Sequence, residues 1–272
     1  MRITMQANFA ARWSRCFRTF AAFLFAAWTL FFAPIARAQT TVNYTMQTGD
    51  MDRVSASPSG GIYNSGSTSI GMWMNGDNNT QGNAVWDTFR VGSASNTAAR
   101  ELQIGDEFTI TVNTRGVYYG TVGVSLNDGN EFSNDSFTNR LDNSRLAVIQ
   151  NGANFGSGTG GAGSWYVSGA STPNFANVPN GTATDYVIRV KITSGSTANI
   201  TLGSSTLYDI GMNGSVGANI DSFSFWLSDD RSGVWNVNNG NRGDSVWRSA
   251  SVTSTGTIEL GYAAAGNKLQ VS

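Results

Sequence analysis

The sequence predicts an all-β chain folded as a two-sheet antiparallel β-sandwich. Three observations carry this reading. Apolar residues recur at every second position in short runs, clusters of Gly, Asn, Asp and Ser separate the runs, and no stretch shows helical periodicity.

Taken in chain order, strands are expected at 42–47, 68–74 and 84–91, the last with Val85, Phe89 and Val91 on one side and Trp86, Thr88 and Arg90 on the other. The run 107–114 alternates most clearly, with Phe108, Ile110 and Val112 opposed by Thr109, Thr111 and Asn113. In 117–126, Tyr118, Val122, Val124 and Leu126 oppose Tyr119, Thr121, Gly123 and Ser125. After 145–150 and 164–168, the run 185–193 sets Tyr186, Ile188, Val190 and Ile192 against Arg189 and Lys191. Strands at 198–202 and 207–212 precede 219–227, where Phe223, Phe225 and Leu227 form the apolar side and Trp226 stands with Ser222, Ser224 and Ser228. The series ends with 245–252 and 257–261. Turn chemistry lies between them, as in Asn75-Gly-Asp-Asn-Asn79 and Asn127-Asp-Gly-Asn130. No sequence repeat suggests a solenoid or propeller.

Residues 1–38 read as a signal peptide. Four arginines precede the uncharged apolar run 19–33, and Ala36-Arg37-Ala38 supplies the small-x-small pattern of a cleavage site. The apolar run is shorter than the roughly 18 residues of a spanning helix, so the mature chain, 39–272, is expected to be one exported sandwich domain without a membrane span, extracellular or periplasmic in a bacterium. The leader holds five of the 17 Lys and Arg residues and none of the 18 acids, leaving a mature formal charge of −6. It also holds Cys16, the only cysteine.

Composition removes several function classes. With no His there is no Ser-His-Asp machinery and no imidazole metal site. Without mature Cys, disulfide scaffolds and thiolate metal centres go too. An acidic chain whose lysines are Lys191 and Lys268 lacks the basic patch that nucleic acid requires. All 32 glycines fall in 39–272, yet six Trp, eight Tyr and eight Phe remain there, which argues for a packed fold rather than disorder.

Large aromatics on the hydroxyl-bearing side of strands are the main functional signal. Parity puts Trp226, Trp86, Tyr119 and Trp247 among Ser and Thr, and Trp247 in particular with Ser245 and Ser249. Flat rings among hydroxyls suit a sugar, whose C–H face stacks on the ring while its hydroxyls bond to neighbouring polar groups, each stack contributing about 0.5–1.5 kcal/mol beyond area burial. Arg90 and Arg189 are the expected partners of sugar hydroxyls or uronate carboxylates. As an exposed platform, Trp226 should tolerate truncation to Ala with weakened binding and a nearly unchanged thermal midpoint.

The segments 100–110, 120–127, 186–190, 220–225 and 243–252 together resemble a secreted bacterial jelly-roll domain, similar to carbohydrate-binding modules and concanavalin-like lectins. The resemblance spans roughly residues 83–252. It implies non-catalytic glycan binding, often beside a structural Ca²⁺. Independently, hard oxygen donors are the strong metal ligands left in the mature chain, and Asp77 and Asn79 open a loop that partly follows a calcium-binding pattern, although Thr88 stands where a bidentate acid belongs.

Two further readings stay open. A glycoside hydrolase would need a carboxylate pair drawn from few glutamates, Glu101, Glu107, Glu131 and Glu259, and a polysaccharide lyase would turn to Tyr119 and Arg189. An extracellular matrix or filament subunit would self-associate through strands at the two ends of the mature chain.

Overall fold

The computed structural model describes residues 39–58, 60–74, 82–90, 99–114, 120–128, 144–151, 164–175, 184–214, 219–228 and 245–255. Among them, fourteen strands build two antiparallel sheets, and there is no α-helix. One sheet has eight strands. Its order is β12 (Ser205–Gly211), β11 (Thr197–Leu202), β10 (Thr184–Ile192), β6 (Glu107–Thr114), β14 (Ser245–Thr255), β4 (Ile70–Met74) and β3 (Gly60–Asn64). The eighth strand, β1 (Gln39–Tyr44), pairs with residues 250–255 of β14, while β4 pairs with 245–247 of the same edge. The other sheet has six strands, in the order β2 (Arg53–Ser55), β5 (Gly82–Thr88), β13 (Ser222–Ser228), β7 (Thr121–Asn127), β8 (Ser144–Asn151) and β9 (Trp165–Ser168). Successive strands from β4 to β7 alternate between the sheets, the connectivity of a jelly roll.

The core lies between the sheets and follows the predicted alternation. Phe108, Ile110 and Val112 of β6 face inward beside Val190, Ile188 and Tyr186 of β10. Phe223, Phe225 and Leu227 of β13, with Val122, Val124 and Leu126 of β7, close on them from the other sheet. Ring contacts fix how the sheets superpose. Phe223 lies 5.0 Å from Phe108, 5.4 Å from Phe89 and 5.3 Å from Tyr44, Phe225 lies 4.7 Å from Trp247, and Trp165 lies 5.1 Å from Tyr186.

The outer faces of the two sheets differ. In β6 and β11 buried residues alternate with half-exposed ones, so the outer face of the eight-stranded sheet meets solvent. In β7 and β13 every residue is buried, and in β5 every one but Thr88. The outer face of the six-stranded sheet is therefore withdrawn from water across β5, β13 and β7, even though serines and threonines line much of it.

Two features depart from the sequence reading, and one expected strand is not described. Trp247 is not on a polar face: it is fully buried between the sheets, because a bulge between Trp247 and Ser249 shifts the parity of β14, placing Trp247 and Ala250 on the same inward side. β7 starts at Thr121, and β2 and β3 are additional strands. The strand expected at 257–261 lies outside the described residues.

Candidate functional site

The outer face of the six-stranded sheet gathers a second set of buried side chains, separate from the inter-sheet core. It comprises Ala84, Trp86, Ala147, Ile149, Tyr166 and Trp226. Register explains the grouping. Trp226 stands opposite Ala84 on one side and Gly123 on the other, Gly123 opposite Ile149, and Ile149 opposite Tyr166. In the adjacent row Trp86 stands opposite Ser224, Ser224 opposite Ser125, and Ser125 opposite Ala147.

Gly123 is what lets the Trp226 indole lie over the neighbouring strand. A Cβ at this position would sit 2.6 Å from Trp226 Cζ2 and 2.9 Å from the Val148 carbonyl oxygen. The backbone oxygen cannot yield, so Gly123→Ala should cost about 1–3 kcal/mol and shift the tryptophan emission spectrum, both read from a chemical denaturation curve followed by fluorescence.

Hydroxyls complete the face. Trp226 Nε1 donates to Thr121 Oγ1 at 3.1 Å, the Thr121 and Ser228 hydroxyls are 2.8 Å apart, and those of Ser125 and Ser224 are 2.6 Å apart. Trp86 differs: its indole Nε1 is buried and has no hydrogen-bond partner. Trp226 is fully buried, whereas Trp86 and Tyr166 each keep 8% of their surface. Burial alone pushes the Tyr166 phenol up to about 12, so it stays protonated and able to donate.

At the end of β5, with Asp87 in the inward-facing row of Phe223, lies an acid pair. Arg90 Nη2 donates to Asp52 Oδ1 at 2.5 Å and to Asp87 Oδ1 at 2.9 Å. The Thr88 N–H donates to both carboxyl groups, at 3.1 and 3.0 Å, and its hydroxyl donates to Asp52. Burial, followed by the bond from Asp52, pushes Asp87 up to about 7 against the pull of Arg90. Burial opposes ionisation of Asp52 as well, but the bonds from Thr88, Arg90 and Asp87 outweigh it and hold that carboxyl below its ordinary range. The Arg90 N–H donates to Tyr44 Oη at 2.9 Å, tying the pair to β1.

The structure thus sorts the residues expected at a ligand site. Trp226 and Trp86 share one face, as the parity argument required. Trp226 is not an exposed platform, however, because it packs over Gly123 and is fully buried. Trp247 belongs to the core. Arg90 is committed to Asp52 and Asp87, and Arg189 is exposed on the outer face of the other sheet, opposite Thr109 and Thr201. Of the six expected ligand residues, the five that are described do not converge. Tyr119, Asp77 and Asn79 lie outside the described residues, as do Glu131 and Glu259. Glu107 stands opposite Lys191 and Thr253 on the solvent-facing outer face, away from the acid pair. Among the described residues no three acidic, His or Cys side chains cluster as metal ligands.

Sequence reasoning missed Tyr166 and the acid pair. Tyr166 was available from the alternation of 164–168, where it opposes Trp165 and Val167. Asp87 carried a signal too, since it stands on the core side of its strand between Val85 and Phe89. Its pairing with Asp52 had none.

No family model and no curated protein matches this chain. Among solved structures it is similar to a sialidase, at 12% identity and a TM-score of 0.46, over 74% of this chain and 16% of that one. It is also similar to a tetrameric galectin from the ball sponge Cinachyrella sp., at 10% identity and a TM-score of 0.40, over 62% of this chain and 99% of that one. A third is an endo-β-1,4-glucuronan lyase from the fungus Trichoderma reesei, at 11% identity and a TM-score of 0.46, over 80% of this chain and 96% of that one.

Proposed function

We propose that this protein is an exported glycan-binding protein that recognises polysaccharide without cleaving it, at the margin of the outer face of the six-stranded sheet where Trp86 keeps part of its surface. The observation that carries the reading is the buried, unpartnered indole N–H of Trp86 in a face made of rings and hydroxyls. Buried donors in folded proteins are nearly always bonded, so an orphan at the margin of such a face points to a ligand acceptor. A sugar hydroxyl supplies that acceptor. Trp86 and Tyr166 lie four strand positions apart, from β5 across β13, β7 and β8 to β9, roughly 20 Å. The residues between them are buried, so each of the two rings offers a ligand only its exposed edge. Trp226 lies between them and holds the face in shape.

The acid pair supports binding over hydrolysis. Asp87 is 2% exposed and its Oδ1 accepts from Arg90 and from the Thr88 N–H, which keeps it from reaching a leaving group or an attacking water.

The test is retention of residues 39–272 on a polysaccharide panel, with and without EDTA, with the same tubes assayed for newly formed sugar ends. Retention without new ends is expected. Trp86→Phe, which keeps a ring but deletes the N–H, should weaken binding about fivefold, the equivalent of one neutral hydrogen bond. Unchanged binding by Trp86→Phe and Trp86→Ala would exclude this face, and new sugar ends would make the protein an enzyme. Loss of retention in EDTA would place a calcium ion in the complex.

A further inference from the structure

Two rings on the outer face of the eight-stranded sheet have the exposure that Trp226 lacks. Tyr63 of β3 keeps 40% of its surface and Trp73 of β4 keeps 37%. Each stands opposite a glycine of the other strand, Tyr63 opposite Gly71 and Trp73 opposite Gly61. A Cβ at Gly71 would be nearest Tyr63 Cζ and equally 2.6 Å from Cε1 and Cε2, which puts this glycine under the face of the ring rather than at its edge. A Cβ at Gly61 would lie 2.5 Å from Trp73 Nε1 and 2.9 Å from Cε2. Both rings therefore lie down on the neighbouring strand, where only glycine leaves room, and turn their other side to solvent. The pairing beneath Trp73 is held from inside the sandwich: Asn83 Nδ2 donates to the Trp73 carbonyl at 2.7 Å and to the Gly61 carbonyl at 3.1 Å.

The row of Tyr63 continues across the sheet as Gly71, Val246, Asn113 and Asp185. At its far end Asp185 Oδ1 accepts from Asn113 Nδ2 at 2.6 Å and from Arg248 Nε at 2.9 Å, and Asp185 and Arg248 each keep about half of their side-chain surface. Strand spacing sets Asn113 about 10 Å from the Tyr63 ring, which lies over β4. Arg248 also lines an open depression of about 370 Å³ with Asn43, Thr45, Thr68 and Ser251, at the point where β14 passes from β4 to β1.

We propose that this row is a second glycan site, in which Tyr63 and Trp73 stack on the C–H faces of sugar rings while Asn113, Asp185 and Arg248 bond to their hydroxyls. Flat rings alone would take a pyranose or a proline alike. The polar end separates the two guests. The Asp185 carboxylate only accepts and the Arg248 guanidinium only donates; a hydroxyl answers both, whereas a polyproline segment has no N–H and offers carbonyl acceptors alone. Asp185 and Arg248 offset one another, so the guest need carry no charge. The site lies on the opposite sheet from Trp86 and does not depend on it.

Affinity gel electrophoresis of residues 39–272 against hydroxyethyl cellulose, xylan, galactan and polygalacturonate tests the site. Tyr63→Ala and Trp73→Ala should each weaken binding to a retained polymer about twofold to tenfold, and Tyr63→Phe, which keeps the ring, should preserve it. Because the rings are exposed, both alanine variants should keep Tm within about 2 °C of the wild type. If Tyr63→Ala does not fold, Tyr63→Leu, apolar but without a ring face, takes its place. Unchanged binding in Tyr63→Ala and Trp73→Ala, with a loss in Trp86→Phe, would overturn this site and leave the Trp86 site standing; the opposite pattern would establish this site and remove the other. Absence of wild-type binding to all four polymers would overturn both. Saturable binding of a polyproline peptide in their place, lost in Tyr63→Ala, would overturn the choice of guest.

Discussion

Trp226→Ala is expected to lower the free energy of unfolding by about 3–5 kcal/mol, the range for removing a buried aromatic side chain. For a domain of this size that is a fall in Tm of roughly 6–20 °C. The indole is fully buried, lies over Gly123, and donates to Thr121, whose hydroxyl in turn pairs with Ser228. Truncation would open a cavity and leave a buried hydroxyl pair without its donor. Calorimetry or denaturant titration reads the effect directly. A loss below about 1 kcal/mol would show the ring exposed in solution and restore Trp226 as a direct sugar platform.

The second large effect is on pH dependence. Asp87, buried against Asp52 and held by Arg90, titrates at about 7, whereas an unfolded Asp titrates near 3.9. Between these values the native state binds a proton that the unfolded state has released, so stability falls as pH rises. The contribution is complete below pH ~4 and lost above pH ~7, and it amounts to something on the order of 4 kcal/mol at ~1.4 kcal/mol per pH unit. Asp87→Asn imitates the protonated acid: its amide oxygen can accept from Arg90 and Thr88 while its NH₂ donates to Asp52. Tm measured from pH 4 to pH 8 should decline in the wild type and lose most of that slope in the variant, which should be the more stable protein at pH 8. Equal slopes in the two proteins would assign the dependence to other groups.

Much of the sandwich was legible because alternation survives where one face of a strand is wet. β6 and β10 show this, with Thr109, Thr111, Arg189 and Lys191 marking the outer face without ambiguity. β2 is three residues long and β3 begins Gly60-Gly61, too short or too glycine-rich to carry a period. Trp247 was misplaced for a different reason: a bulge adds one residue, and every parity inference on its far side inverts. For Trp226 parity gave the correct face, but a serine row does not reveal whether it is covered. Asp52 and Asp87 meet only through the pairing of β2 with β5, a long-range event that no local pattern encodes.

The arrangement of β14 also bears on how the chain reaches its native state. The last described strand pairs with β6 on one side and with both β1 and β4 on the other, so the first strand of the sandwich waits for the last. The Thr41–Thr253 contact closes a loop of 212 residues. A polypeptide emerging in order from its N-terminus has no partner for β1 until nearly the whole chain exists, and ordering so long a loop slows the search for the folded state. The eight-stranded sheet therefore closes late, whereas local pairs such as β3–β4, β7–β8–β9 and β10–β11–β12 can form as soon as their strands exist.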